Sequence, residues 1–235
     1  MSNTVSLVQI SDCHIDDVEN CMGSNTHESL NNIIKEVALI DADALLISGD
    51  LSHNGTKNSY QIIRQMLNPI KTNLLILSGN HDNKENLNSA FAEHLLEKTT
   101  LGAWDIIATD SVQVNKTSGF LTTSELEKLD TSLSTSTAQH ILLTLHHPIV
   151  PMQSNWDDAL SLKNPQDLFA VLSKHSKIKA VIFGHAHQAK TFNKDGIKIF
   201  SCPSTALQFD QETRVGFNHY TLHNNGQLDC TTQWL

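Results

Sequence analysis

The chain reads as an α/β protein, and three features of its sequence say so. Short apolar runs rich in Val, Ile and Leu recur along it. Amphipathic helical patterns fall between those runs. The tail, residues 196–235, carries strand-like segments only. Short apolar runs bounded by turn residues suit strands buried on both faces, and helices between consecutive strands suit parallel pairing. With 235 residues, one domain spanning 1–235 is expected, large enough to bury a sizeable core.

The elements follow in order. Residues 5–10 form the first strand and run into Ser11-Asp12-Cys13-His14. A helix over 28–40 places Leu30, Ile33, Ile34, Val37 and Ile40 on one face. The strand 44–48 ends at Gly49-Asp50, and a helix over 59–67 follows with Ile62, Ile63, Met66 and Leu67. The strand 74–78 ends at Gly79-Asn80-His81-Asp82, followed by a helix over 85–96 with Leu87, Phe91 and Leu95. The early half is therefore β-α-β-α-β.

A helix over 123–133 opens with a capping box made by Thr122 and Glu125. The low-complexity stretch 131–137 reads as a surface loop or frayed helix end. The strand 141–145 runs into His146-His147-Pro148. Residues 148–163 show no period and read equally as a lid or a plain connection. Asn164 is expected to cap a helix over 165–173, with Pro165 at its first position. The strand 180–183 ends in Gly184-His185-Ala186-His187, and Asn224-Asn225-Gly226 reads as a hairpin turn in the tail.

The formal charge is −9, from 16 Lys+Arg against 25 Asp+Glu, and no basic patch is visible. That excludes a nucleic-acid polymer as partner, since such binding needs basic residues to displace counterions. A small anion is still allowed where bound metal inverts the local field. The first residues, Met1-Ser2-Asn3-Thr4, show no basic leader, and no run approaches the ~18 apolar residues of a membrane span. A cytoplasmic protein without membrane contact is expected. Cys13, Cys21, Cys202 and Cys230 form no CxxC pair and read as free thiols.

Five apolar runs each end in metal-binding side chains, and the C-terminal edge of parallel strands is where open α/β sheets bind ligands. Asp12 and His14, like His185 and His187, are spaced i, i+2. Off an extended strand end both members face one way, with Cys13 pointing elsewhere. Gly49, Gly79 and Gly184 stand where the backbone turns sharply. Imidazole with carboxylate suits Mn, Fe, Zn or Co better than Mg or Ca. Two such ions ~4 Å apart can share a carboxylate, and Asp50 is the bridging candidate. Their residual positive charge would hold one phosphate. His27, His53, His94, His140, His175, His219 and His223 lie outside these motifs and read as ordinary surface or core side chains.

The set Asp12-x-His14, Gly49-Asp50, Gly79-Asn80-His81-Asp82, His146-x-Pro148 and Gly184-His185-x-His187 resembles the calcineurin-like metallophosphoesterase superfamily across nearly the whole chain. The resemblance implies a four-layer αββα sandwich. It implies that Asp12, His14, Asp50 and His187 hold one divalent metal, and that Asp50, Asn80, His146 and His185 hold the second. By the family's His-x-Pro motif, His146 rather than His147 is the ligand. It implies attack on phosphorus by a hydroxide bridging the metals, with His81 as general acid or phosphate-binding imidazole.

A narrower resemblance is to bacterial class III cyclic nucleotide phosphodiesterases. It rests on Gly23-x-Asn25-Thr26-x-x-Ser29, Thr109-Asp110-Ser111, Trp156 with Asp157 or Asp158, Pro203-Ser204-Thr205 and Gln208-Phe209. It implies a pocket in which Asn25, Ser204 and Thr205 hydrogen-bond substrate and Trp156 and Phe209 pack on a base. The implied substrate is 3′,5′-cyclic AMP. The subfamily's Pro-Gly-aromatic-Arg element is missing after Gln208-Phe209, which implies a more open pocket. The alternatives are a broad phosphodiesterase, acting on glycerophosphodiesters or 2′,3′-cyclic nucleotides, and a non-catalytic scaffold with the same fold.

Overall fold

The computed structural model describes residues 4–235. Residues 1–3, read above as carrying no basic leader, lie outside the described residues. The chain begins with β1 (Thr4–Ile10), a small ribbon of β2 (Asn20–Cys21) and β3 (Ser24–Asn25), then α1 (Thr26–Val37) and β4 (Ala44–Ser48). It continues through α2 (Lys57–Met66), β5 (Asn73–Leu77), α3 (Lys84–Phe91), β6 (Lys98–Leu101) and β7 (Trp104–Ala108). Then come α4 (Thr123–Ser134), β8 (His140–Thr144), α5 (Asn155–Leu160), α6 (Pro165–Leu172) and β9 (Ile178–Phe183). The tail adds β10 (Lys190–Lys194), β11 (Ile197–Ser201), β12 (Gly216–His223) and β13 (Leu228–Trp234).

Two sheets result. One has the order β13-β12-β1-β4-β5, the other β10-β11-β9-β8-β7-β6. β1, β4 and β5 are parallel, as are β7, β8, β9 and β11; the outer strands pair antiparallel. Through β12, paired along β1, and β13 the tail joins the first sheet, while its β11 joins the second.

Side-chain alternation sorts the strands' residues into three apolar layers. Val8 and Ile10 of β1 pack with Leu30 and Ile33 of α1, Tyr60 and Ile63 of α2, and Phe91 of α3. Their neighbours Val5 and Leu7 join Leu46, Leu75, Ile106, Leu142 and Ile182 between the sheets. On the far side, Ile141 and Leu143 of β8 pack with Leu129 and Leu133 of α4 and Leu168 and Leu172 of α6. Helices, sheet, sheet, helices: this is the four-layer αββα sandwich. Each such fully buried aliphatic side chain contributes about 1.5–3 kcal/mol.

The buried Gln9 side chain crosses the inter-sheet core. It donates to Ser48 Oγ at 2.8 Å and to the Phe183 carbonyl at 3.3 Å, and accepts from Tyr220 OH at 2.7 Å. With all three bonds made, it pins β1 to β4, β9 and β12 just below the site.

Five helices are capped by a side chain accepting from the third residue on: Asn25, Thr56, Asn83, Thr122 and Ser154. The capping box is only half made, because the Glu125 carboxylate accepts from Asp110 N at 3.4 Å. Asn164 makes no cap bond. Its amide pairs with the backbone of Leu121, accepting at 3.0 Å and donating at 2.9 Å. α4 runs on to Ser134, so the low-complexity stretch is partly helical, and the aperiodic stretch 148–163 holds α5. The helix expected over 85–96 stops at Phe91 and ends in a 3-10 turn, Ala92–His94.

Candidate metal centre

The C-terminal ends of β1, β4 and β5 in one sheet and of β8 and β9 in the other meet at one edge. The expected strands lie side by side only within each sheet, so the centre is assembled from two sheets. Backbone hydrogen bonds stitch its loops together: Asp12 N to Gly49 O at 3.1 Å, His14 N to Asp50 O at 3.0 Å, and Gly184 N to His146 O at 3.1 Å.

The loops are not extended. Asp12, His14, Asp50, His185 and His187 all have positive φ, between 47° and 65°. Paired left-handed turns, not strand alternation, aim the Asp12/His14 and His185/His187 pairs. Cys13 between the first pair is 1% exposed and packs in the helix-side core. Of the three motif glycines, only Gly49, at φ 101°, is there for its backbone angle. A Cβ on Gly79 would collide with the Asp50 carboxylate, and one on Gly184 with Ser11 Oγ. Those two are small so that the loops can close up.

All seven expected ligands converge. His14 Nε2 lies 3.1 Å from His187 Nε2, which is 3.5 Å from Asp12 Oδ1. Asn80 Oδ1 lies 3.1 Å from His146 Nε2 and 2.9 Å from His185 Nδ1. Between the two sets stands one atom, Asp50 Oδ2, 3.9 Å from His14 Nε2 and 3.3 Å from His146 Nε2. The other oxygen, Oδ1, accepts the His81 backbone N–H at 2.8 Å. Asp50 is thus the residue placed to serve both sets.

The donor set fits a cation. His146 Nδ1 donates to the Ser48 carbonyl at 2.9 Å and His187 Nδ1 to the Leu207 carbonyl at 2.7 Å. A carbonyl only accepts, so each neutral ring turns the Nε2 lone pair inward. Lone pairs and carboxylate oxygens then face one another.

The electrostatics agree. Burial works to raise the Asp12 carboxyl, but His187 and His146 outweigh it and hold it down to about 2. Burial likewise opposes ionisation of Asp50, and His146, His14 and His81 overcome it, keeping the group well below the usual carboxylate range. Burial pushes His14 down to about 3, and burial with His146 does the same to His185. His146 goes the other way: Asp50 overcomes burial and lifts it to about 9. Without a metal, the Asp50 carboxylate favours a proton on this ring.

A model of the calcineurin-like phosphoesterases matches residues 5–189. The chain belongs to that family. It is accordingly a phosphoester hydrolase, of a family that uses two divalent metals. A protein of Ruthia magnifica named a probable cyclic nucleotide phosphodiesterase is 60% identical over 230 residues, covering 98% of each chain. The 3′,5′-cyclic adenosine monophosphate phosphodiesterase CpdA of Pseudomonas aeruginosa is 30% identical over 240 residues, 96% of this chain and 88% of its own. A dimetal phosphatase of Danio rerio superposes with a TM-score of 0.70 over 97% of this chain and 98% of its own, at 12% identity, a likeness of fold alone.

The remaining expected residues of this phosphoesterase divide into those at the centre and those behind it. His81 stands over Asp50, with its Nδ1 donating to the His53 carbonyl at 2.9 Å. Phe209 stacks on the His187 ring at 4.0 Å, and Trp156, 56% exposed, meets Phe209 edge-on at 4.8 Å. Ser204 and Thr205 are fully buried. Ser204 Oγ donates to the Asp12 carbonyl at 2.8 Å, and Thr205 N to the Ser11 carbonyl. They brace the Asp12 loop from behind, which corrects their expected contact with substrate. Asn25 spends its side-chain carbonyl on the α1 cap. Ser111 likewise lies behind the centre, bonded to His147.

Three residues escaped the sequence reading. His147 is fully buried with both ring nitrogens engaged, Nδ1 with Ser111 Oγ at 2.8 Å and Nε2 with the Thr117 carbonyl at 3.2 Å, so it supports His146 and His185 instead of competing with them. Asp82, last in its motif, accepts from Leu51 N, Ser52 N, Gly79 N and Tyr60 OH. His53, read as an ordinary side chain, lies against His14 and His81. Its place three residues after Asp50 was the available signal.

Proposed function

We propose that the chain is a two-metal phosphodiesterase that opens 3′,5′-cyclic nucleotides, cyclic AMP foremost, to the 5′-monophosphate. The carrying observation is Asp50 Oδ2 standing between two sets of ligand atoms, with an aromatic wall beside one of them. Asp12, His14, Asp50 and His187 would hold one divalent ion, and Asp50, Asn80, His146 and His185 the other. Nitrogen and oxygen donors of this kind suit Mn, Fe, Zn or Co. Such a pair, when bound, supplies Lewis-acid polarisation of the phosphoryl group and a water acidic enough to act as nucleophile.

The chain's own residues do the rest. The backbone N–H of His81 is held by Asp50 and its Nδ1 proton by the His53 carbonyl, leaving Nε2 as the free ring nitrogen. Protonated there, His81 gives that proton to the leaving 3′-oxygen as the P–O3′ bond breaks and a hydroxide, whose own proton has already passed to solvent, bonds to phosphorus. Phe209 and Trp156 offer apolar faces to the base, a contact worth on the order of 1 kcal/mol. No basic residue belongs to the motifs, so the second charge of a phosphomonoester goes unmatched and monoesters are poor substrates. The acidic charge and four free thiols support action in the cytoplasm on a small molecule, not on a nucleic-acid polymer. Among the described residues no helix is long and apolar enough to cross a membrane.

The exposure of Trp156 and the missing Pro-Gly-aromatic-Arg element favour a second reading, in which the open pocket also accepts other diesters. The test is kcat/KM of Mn-loaded protein on 3′,5′-cyclic AMP, 2′,3′-cyclic AMP and bis(p-nitrophenyl) phosphate. Turnover of the 3′,5′-cyclic nucleotide with a modest preference is expected. Efficient hydrolysis of the others alone moves the assignment to a broad phosphodiesterase. No turnover by protein carrying two metals leaves only a scaffold.

A further inference from the structure

We infer that His53 is a positioning residue that fixes the proton of two neighbouring imidazoles, His14 through its ring and His81 through its carbonyl. The inference rests on the reading of His14 as a metal ligand.

The backbone places His53 firmly. Segment 50–53 is zipped along segment 12–15 by His14 N to Asp50 O, Ile15 N to Leu51 O and His53 N to Ile15 O, each at 3.0 Å. The half-buried ring meets His14 edge-on, with centroids 5.4 Å apart and planes at 65°. The two Nδ1 atoms are 3.4 Å apart. Two neutral ring nitrogens at this distance share one proton, and the geometry says whose it is. His14 Nε2 faces His187 Nε2 and Asp50 Oδ2, where a ligand must present its lone pair. The proton therefore belongs on His14 Nδ1, and His53 Nδ1 accepts it.

The other two inward-facing Nε2 ligands show the same arrangement with a different partner. His146 and His187 each give the Nδ1 proton to a carbonyl, of Ser48 and Leu207. At His14 an imidazole takes the carbonyl's place. Such hydrogen bonds fix a ligand's tautomer and ring orientation. The same residue serves His81: the two rings stack at 5.0 Å and 24°, and the His53 carbonyl accepts from His81 Nδ1 at 2.9 Å. His14, His53 and His81 also bring ligand nitrogens within 4.8 Å of one another, as a third metal site would. The Nδ1 atoms of His14 and His81 are already occupied by hydrogen bonds, so the triad reads as a support.

The test is the affinity of metal-free protein for Mn, by chelator competition, in the wild type, His53→Ala and His53→Asn. Asn Oδ1 reaches the position of His Nδ1 and accepts the same proton. His53→Ala is expected to bind one of its two ions 10–100-fold more weakly, with capacity unchanged, and His53→Asn to recover most of that loss. In Zn-loaded wild type, nitrogen-15 NMR is expected to find the His14 proton on Nδ1, and in His53→Ala that proton's signal broadens by exchange with water. Affinity within twofold of wild type in His53→Ala overturns the inference. So does a third ion in wild type that His53→Ala loses, which would make His53 a ligand. Wild type that binds no metal fails the metal reading before any variant is made. No substrate enters the measurement, so failure of the cyclic nucleotide reading shows separately.

Discussion

At the scale of single residues, the centre is built on backbone that side chains other than Gly rarely adopt. Five of the seven candidate ligands, Asp12, His14, Asp50, His185 and His187, sit at φ between 47° and 65°. Each such residue costs about 1–2 kcal/mol, and the cost persists only where the surroundings impose it. Here they do: the loop amides are paired across to Gly49, Asp50 and His146 carbonyls. Which residues converge was legible in the sequence, because five strand-end motifs carry Asp, Asn and His in order. The conformation was not legible, since it comes from contacts between distant loops. Two predictions belong here. His81→Ala should keep both metals yet lose roughly 10²–10⁴ in kcat on alkyl leaving groups, and less on p-nitrophenyl, which needs no proton. An equal loss on both would leave His81 with positioning only. The second concerns pH. In the metal-free chain His146 is raised from 6.5 to about 9, so its charged ring stabilises the fold below pH 6.5 and that contribution is lost as pH rises through 9. Asp12 and Asp50 are lowered, so theirs is present above the ordinary value of 3.8 and lost as pH falls, for Asp12 through about 2. A metal must displace the His146 proton. Loading at pH 7.5 should release at least one proton, that of His146, and tighten with pH up to about 9. Calorimetry in two buffers of different ionisation enthalpy checks this; identical heats would contradict it.

At the scale of elements, two devices set the loops in place. Asp82 gathers Leu51 N, Ser52 N, Gly79 N and Tyr60 OH at 2.9–3.2 Å, tying the Asp50 loop, the Asn80 loop and α2 together. Burial and the charge of Asp50 push its carboxyl up to about 6 even so. Asp82→Ala leaves four buried donors without a partner and should cost on the order of 3–5 kcal/mol in urea unfolding of metal-free protein. Asp82→Asn, which keeps the volume and one acceptor oxygen, should cost clearly less; equal losses would mean that the retained oxygen satisfies none of these donors, against the role given to Asp82. The second device holds α5. Gln188 Nε2 donates to the buried Asp157 Oδ2 at 3.0 Å and Met152 N to Asp158 Oδ1 at 2.6 Å, which sets Trp156 against Phe209. Trp156→Ala should raise KM for cyclic AMP roughly 5–10-fold, about 1 kcal/mol, and leave KM for an alkyl diester without a ring unchanged. A parallel rise for both would remove Trp156 from base recognition. Elements read well where burial is two-sided, as in β4, whose five residues are all buried. β6 and β10 went unseen because they are half-exposed outer strands bearing Lys and Thr. β7 went unseen because Asp105 interrupts its apolar run; in the fold that carboxylate is met by Lys98, Thr100 and Ser136.

At the scale of the molecule, the αββα sandwich exists to bring two sets of strand ends to one edge. Neither sheet alone completes the centre: β1, β4 and β5 supply Asp12, His14, Asp50 and Asn80, and β8 and β9 supply His146, His185 and His187. The pairing of two sheets was carried by family resemblance, because hydrophobic periodicity records which faces are buried but not what buries them. The acidic surface charge is no obstacle to an anionic substrate once two divalent ions sit among the ligands. The proposed activity stands on Asp50 serving two metals in one site. Anomalous diffraction from crystals of Mn-loaded protein tests it most directly. Two peaks are expected, one among Asp12, His14 and His187 and one among Asn80, His146 and His185, with Asp50 bound to both. A single peak, or two peaks with Asp50 bound to only one, would contradict it.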